Sequence, residues 1–245
     1  MTGDSGRLET HGRKRSQAAK RNVASIPKGG FAITDLARRG IYLLPAAGIL
    51  TAVPWVAILG NPSVKTDPVG YARSLTSATD VVSGYLYLAG LICLLFGLLA
   101  LYAILARTSA DSWAGRGMVL SLLGITLALP AFGITRLGDT VLADVYLDGH
   151  TGVGAAMGLL TDTTLTYRTA IYFGVFVLVS LAGAIAYAVA VWKSGNLPKW
   201  AGVLVGLGSW LSMTLSPGIA WVGALCLVVG GVWLARSLSQ ALSTG

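Results

Sequence analysis

The chain has 245 residues, of which 54% are hydrophobic and 11% are charged. Soluble globular domains average about 25% charged residues, so this composition favours membrane-spanning segments over a soluble core. The formal net charge of +8 does not indicate a nucleic-acid-binding surface, because nine of the 18 Lys and Arg residues lie in the first 39 positions. Cys93 and Cys226 both lie in apolar runs, which excludes a disulfide framework.

Residues 1–39 form a basic tail that ends in Arg38 and Arg39. Its polar first part has no apolar periodicity, so we expect residues 1–28 to be disordered and residues 32–39 to form a short interfacial helix. Such a tail, placed in the cytoplasm, is expected to contact anionic lipid headgroups. A nucleic-acid-binding arm is the alternative, but the membrane spans that follow favour lipid, and no nucleic acid is expected as a partner.

Six apolar segments follow the tail, and none of them contains Asp, Glu, Lys, Arg or His. A helix of about 20 residues crosses a hydrocarbon core of roughly 30 Å. The predicted spans are residues 40–59, 84–106, 117–134, 169–191, 200–215 and 219–235. Residues 40–236 are therefore predicted to be one membrane domain, an all-α polytopic transmembrane bundle with a short C-terminal tail over 237–245. The fifth span is short, and the alternative is a re-entrant pair formed with the sixth.

Three polar segments connect these spans. Residues 61–83 are predicted to contain a surface helix around 69–77, and residues 107–116 to form a short loop. Residues 135–168 are too charged to cross a bilayer. Their first half, over 137–147, is expected to continue the third span as a helix until glycines at 149, 152 and 154 break it.

The distribution of basic residues predicts the orientation. With six spans and a cytoplasmic amino terminus, the inner segments hold fourteen Lys and Arg residues and the outer segments hold four. This asymmetry favours both termini in the cytoplasm, in a multi-pass protein of the cell (plasma) membrane. Four tryptophans also lie near the predicted inner boundary, as an aromatic belt requires: Trp113, Trp192, Trp200 and Trp233.

The absence of ionisable residues from the spans argues against several classes of membrane protein. Proton-coupled pumps and voltage sensors need such groups at depth. The only histidines are His11 and His150, and the only glutamate is Glu9, so bis-histidine haem and HExxH zinc sites are not expected. We therefore assign no catalytic, cofactor-binding or metal-binding residues and no cofactor, and we expect no enzyme.

One polar cluster in the outer segment has an alternative interpretation. Asp144 and Asp148 are four residues apart, which places them on one helical face with His150 nearby. Carboxylate and imidazole ligands, joined by Asp139 or Asp162, would suit a divalent cation. The favoured interpretation is a solvated acidic face with an aspartate that contacts Arg136 or Arg168.

Small residues predict a close helix contact. Gly202 and Gly206 form a GxxxG motif in the fifth span, and the fourth span carries small residues at four-residue spacing, at Ala182, Ala186 and Ala190. Because the two spans are adjacent in sequence, we expect an internal contact. A dimer face is the alternative.

The turn between these spans reads KSGNLPKWAG over residues 193–202. It resembles a family of uncharacterised bacterial six-span membrane proteins, a domain of unknown function, in which a Ser-Gly-x-Leu-Pro-Arg/Lys-Trp turn joins spans four and five. The similar layout covers residues 40–236 and leaves out the tail. The resemblance implies a bacterial membrane protein and brings no catalytic residue with it.

Three functional hypotheses follow. The leading one is a non-enzymatic structural or accessory membrane component that packs with a second copy or with another membrane protein in the lipid bilayer. The second is a small permease or lipid-binding protein with a cavity between spans. The third is a membrane enzyme with an outward-facing site at Asp144, Asp148 and His150.

Overall fold

A computed structural model describes residues 36–58, 62, 65–133, 138–155, 167–195, 197–213 and 217–243. The chain divides into residues 1–36 and residues 37–245, and the first unit lies almost entirely outside the described residues. The predictions of a disordered tail and of its contact with lipid headgroups therefore also lie outside them. So do Arg136 and Asp162, which were candidates for the outer polar cluster.

Each regular element in the described part of the chain is a helix. The helices are α1 (Leu43–Ile58), α2 (Pro68–Leu75), α3 (Ala78–Leu105), α4 (Asp111–Gly133), α5 (Asp139–Leu147), α6 (Tyr167–Ser194), α7 (Lys199–Leu211) and α8 (Pro217–Ser243). A 3₁₀ helix over Thr151–Ala155 follows α5. The all-helical class predicted from the sequence is confirmed for these residues.

Among the described residues, five helical segments are long and apolar enough to cross a membrane: Leu36–Val56, Ala78–Leu105, Asp111–Pro130, Ile171–Ser194 and Gly218–Gln240. Large apolar side chains such as Phe96 and Leu178 are exposed on the outside of the bundle, at 54% and 67%. This exterior suits lipid, and the chain is a multi-pass membrane protein. Helix α7 has 13 residues and is about 20 Å long, shorter than the hydrocarbon core. The count of six full spans therefore stays a prediction.

Six helices form a closed ring in the order α1, α3, α4, α6, α7 and α8, with α8 packed back on α1. Contacts between helices show that neighbours run in opposite directions. In α1 and α3, for example, Thr51 lies against Gly90 and Leu44 lies against Gly97. The described chain therefore enters and leaves the ring at the same end.

The two ends of the ring differ in what they carry. The loop end is the end at which α3 begins and α4 finishes, next to α2 and α5. The turn end is the end at which α6 joins α7 through Gly195, whose φ is +71°. This left-handed conformation is the one that glycine adopts most easily, and it explains the glycine in the turn motif.

The predicted contact between the two spans of the hairpin is present between α6 and α7. A Cβ atom built on Gly202 would lie 2.4 Å from the Cβ of Val191, and one built on Gly206 would lie 2.6 Å from the carbonyl oxygen of Ala184. The GxxxG face is therefore used inside the molecule. Of the alanines predicted to form the α6 side of this contact, Ala186 and Ala190 are buried and Ala182 is exposed, and the α6 residues nearest to Gly206 are Ala184 and Ala188.

Two helices begin earlier than the sequence predicted, because polar residues start them. The side-chain oxygen of Ser77 accepts a hydrogen bond of 3.2 Å from the backbone N–H of Asp80, so α3 begins at Ala78. Helix α4 begins at Asp111, whose carboxylate in the first turn suits the positive end of the helix dipole. The predicted loop over 107–116 is shorter as a result.

The loop end carries a small second layer of helices. The predicted surface helix is α2, in which the Asp67 carboxylate accepts a 2.8 Å hydrogen bond from the N–H of Gly70. Helix α5 packs on α2. The prediction that it continues the third span depends on residues 134–137, which lie outside the described residues. The buried contact between α2 and α5 is made by Ala72, Leu75 and Ala143. Gly149, with φ +98°, follows the end of α5.

We expect the substitution Gly206→Ala to destabilise the bundle by about 1–3 kcal/mol, since its Cβ would overlap a backbone atom of α6 and force the two helices apart. The measurement is thermal unfolding of the purified protein in one detergent. Gly174→Ala on α6 is the control, because a Cβ there meets nothing within 4 Å. Equal melting temperatures for the two variants would contradict the close packing of α6 and α7.

Candidate functional site

A pocket of about 210 Å³ opens at the loop end, between α3, α4 and α5. Its lining comes from the first three turns of α3, the last turn of α4 and the first turn of α5. The lining residues are Asp80, Val81, Gly84, Tyr85, Tyr87, Leu88, Phe132, Gly133, Thr140 and Val141. The pocket therefore forms where α5 covers the ends of two helices of the ring.

Aromatic rings form the inner wall of this pocket. The ring centroids of Tyr87 and Phe132 are 4.6 Å apart, and Trp55 meets Tyr87 edge to face at 6.3 Å. All three side chains are buried. A wall of rings gives a rigid apolar surface that a hydrocarbon chain or a small apolar molecule can contact.

Tyr87 also connects this wall to α7. Its hydroxyl donates a hydrogen bond of 3.1 Å to the carbonyl oxygen of Ser212, the residue that caps the carboxyl end of α7. Tyr87 is nine residues beyond Ala78, the first residue of α3, or about 14 Å along the helix axis. Helix α7 thus ends well inside the bundle, where a helix-end carbonyl needs a donor from the protein.

The polar side of the pocket is built from two helix starts. Asp80 lies in the first turn of α3 and Asp139 in the first turn of α5, and each is only 5% exposed. The positive end of each helix dipole favours a carboxylate at this position. Asp80 and Thr140 line the pocket itself. The site therefore combines an apolar wall with oxygen atoms at one edge.

The dimensions of the pocket limit its ligand. Pockets for drug-sized ligands usually measure about 300–1,000 Å³, so a pocket of about 210 Å³ suits a small molecule or one part of a longer one. Its rim is apolar, because Tyr85 and Val141 line it and are each 61% exposed. A longer ligand can therefore continue along the outside of the bundle.

The structure separates the residues of the predicted outer cluster. Asp144 is exposed on α5, and Asp148 and His150 are exposed in the residues that follow this helix. Asp139, in contrast, is buried at the start of α5. The backbone N–H of Asp148 donates to the carbonyl of Asp144 at 3.0 Å, which continues the helix into its last turn. Within the described ranges, no three His, Cys, Asp or Glu side chains come close enough to hold a metal ion.

The pocket was not predicted from the sequence, because the predicted second span begins at Gly84 and Asp80 falls in the polar connection before it. One local signal was available. Ser77 followed three residues later by Asp80 resembles an N-terminal capping pattern, and it would have placed both residues at a helix start. The meeting of α3, α4 and α5 depends on tertiary packing, for which the sequence has no comparable signal.

Comparisons with known proteins add no relative. No protein-family model, no curated protein and no solved structure matches the chain. The resemblance of the turn over residues 193–202 to a six-span bacterial family stays a prediction.

We expect Tyr87→Phe to lower the stability of the bundle by about 1–3 kcal/mol, because the buried carbonyl at the end of α7 loses its donor while the ring stays in place. Thermal unfolding in detergent measures the change. The matched control is Tyr85→Phe, two residues away on the same helix, where the side chain is 61% exposed. Equal effects of the two substitutions would contradict the role of the Tyr87 hydroxyl.

Proposed function

We propose that the protein is a non-enzymatic integral membrane component that binds the apolar part of an amphiphile in the pocket at the loop end. The observation that carries this proposal is the composition of the pocket. Its wall is the aromatic pair Tyr87 and Phe132, and Asp80 lies at its polar edge. This combines the cavity hypothesis with the accessory role expected from the sequence.

Asp80 defines the polar group that the ligand should carry. A carboxyl group has two oxygens that can accept hydrogen bonds, so Asp80 can accept one from a ligand in addition to its contacts within the protein. Thr140 adds a hydroxyl to the same lining. A ligand whose head donates hydrogen bonds, such as an alkylamine, fits this edge better than a fatty acid of the same length.

The packing of side chains between α3, α4 and α6 supports binding over transport. The hydroxyl of Tyr187 on α6 donates a hydrogen bond of 2.9 Å to the carbonyl of Leu98 on α3 and lies 3.3 Å from the sulfur of Met118 on α4. Tyr187 and Leu98 are each 1% exposed. These side chains fill the space between α3, α4 and α6, so no passage between these three helices is open at this level.

The binding test uses a decylamine that carries a photoreactive diazirine, with the labelled decanoate as its counterpart. We expect the amine to label peptides containing Val81 or Val141, and Asp80→Asn to reduce that labelling about tenfold, the loss expected for a hydrogen bond to a charged group. Labelled peptides are identified by mass spectrometry.

A matched pair of glycine substitutions on α4 checks the location. A Cβ atom at Gly133 or at Gly115 meets nothing within 4 Å, but only Gly133 lines the pocket. Gly133→Leu should fill the pocket and abolish labelling, and Gly115→Leu should leave it unchanged. Equal labelling of both variants, or stronger labelling by decanoate than by the amine, would refute the proposed ligand class.

The proposed orientation places the turn end in the cytoplasm and the loop end outside, with six crossings of the plasma membrane of a bacterium. Basic side chains support it. Arg107, Arg116, Lys193, Lys199 and Arg236 all belong to segments at the turn end. The alternating directions of the six ring helices also favour termini on one side.

Cysteine reporters test this topology in a Cys93→Ser, Cys226→Ser background. Ser109→Cys and Ser239→Cys should react with a membrane-impermeant maleimide only after cells are permeabilised, and Asp148→Cys should react in intact cells. All three positions are exposed. Reaction of the Ser239 reporter in intact cells while the Ser109 reporter stays protected would rule out six crossings. Reaction of both in intact cells, with the Asp148 reporter protected, would invert the orientation.

A further inference from the structure

The turn end carries a cluster of cations and indoles that the pocket does not use. The basic-aromatic cluster consists of Trp113 and Arg116 on α4, Trp192 and Lys193 on α6, and Lys199 and Trp200 on α7. Ring contacts form two groups, one around Trp113 and one around Trp192, and the neighbouring residues Trp192 and Lys193 of α6 connect them where α6 packs between α4 and α7.

Cation–π contacts hold the cluster together. Both Arg116 and Lys193 lie over the ring of Trp113. The guanidinium carbon of Arg116 is 5.3 Å from the ring centroid, and the ammonium nitrogen of Lys193 is 4.8 Å from it. Lys199 lies 5.2 Å from the centroid of Trp192. These rings fix three positive charges in place without neutralising them.

The cluster is accessible to a ligand. The three cations are exposed, and in the part of the chain that the structure describes each faces an indole ring without a carboxylate partner. Trp192 and Trp200 meet at 6.1 Å between centroids and are 46% and 64% exposed. Exposed indoles of membrane proteins sit at the level of the lipid headgroups.

We infer that the basic-aromatic cluster is a binding site for the headgroup of one anionic phospholipid. The phosphate of such a lipid would lie among Arg116, Lys193 and Lys199, and its acyl chains would run down the apolar exterior beside Trp200. Fixed cations between helices, at headgroup depth, recognise anionic headgroups by charge, and each basic residue contributes roughly a fivefold gain in affinity. The inference does not depend on the pocket at the loop end.

The test is native mass spectrometry of the full chain titrated with phosphatidylglycerol or phosphatidylcholine. Replacing all three cations with glutamine (R116Q, K193Q, K199Q) should weaken phosphatidylglycerol retention about 100-fold, and each single substitution about fivefold. Phosphatidylcholine retention should not change. The melting temperature in a neutral detergent checks that the variants fold.

Two controls distinguish a defined site from general charge attraction. The variant K65Q, R73Q, R236Q removes the same number of charges outside the cluster, and R236Q alone removes one at the same end of the bundle, on α8. Both should keep phosphatidylglycerol retention within about twofold of the original chain. A loss equal to that of the cluster variants, or displacement of the lipid by an equal concentration of soluble glycerol phosphate, would overturn the inference.

Discussion

Close approach of helix backbones is the constraint on which the ring depends. In a bilayer, lipid tails are as apolar as leucine, so burial of apolar surface does not by itself drive helices together. Contact must come from packing, and small residues permit it. Gly90 lies against Thr51 between α1 and α3, Gly183 against Ser121 between α6 and α4, and Gly206 against Ala184 between α7 and α6. A side chain at any of these three glycines would meet backbone atoms of the neighbouring helix. The helices can therefore approach this closely only because these positions are glycine.

Two buried tyrosines add hydrogen bonds between helices, which close packing alone does not provide. Tyr187 joins α6 to α3 beside α4, through a hydrogen bond to a carbonyl 89 residues away. Tyr87 joins α3 to the carboxyl end of α7, through a carbonyl 125 residues away. Each hydroxyl finds a backbone acceptor within the bundle, as a polar group at membrane depth must. Neither acceptor could be predicted from the sequence, because each lies on a helix that is distant in the chain.

The parts of the fold that were predictable follow from local signals. Apolar length predicted the long helices, and the charged residues between 61 and 83 indicated the surface position of α2. Glycine spacing on α7 predicted its contact with α6, although the partner residues on α6 were misplaced because alanine spacing does not reveal which face turns inward. Polar helix starts were misassigned at Asp80 and Asp111, since hydropathy alone locates apolar segments and ignores capping. The pocket was not predicted because it depends on the tertiary arrangement of α3, α4 and α5, for which the sequence has no local signal.

The short helix α7 links the architecture of the ring to the pocket. A helix of 13 residues is shorter than a hydrocarbon core of roughly 30 Å, and its last carbonyls must be satisfied within the bundle. Tyr87 does this for Ser212, and the same ring packs on Phe132 in the wall of the pocket. The Tyr87 ring in the pocket wall is therefore held in place by the hydrogen bond from its hydroxyl to a backbone carbonyl at the end of α7. Tyr87 is constrained by this hydrogen bond and by its packing on Phe132, so its ring provides a rigid surface for binding. A tyrosine that is free to rotate at the membrane interface would not provide one.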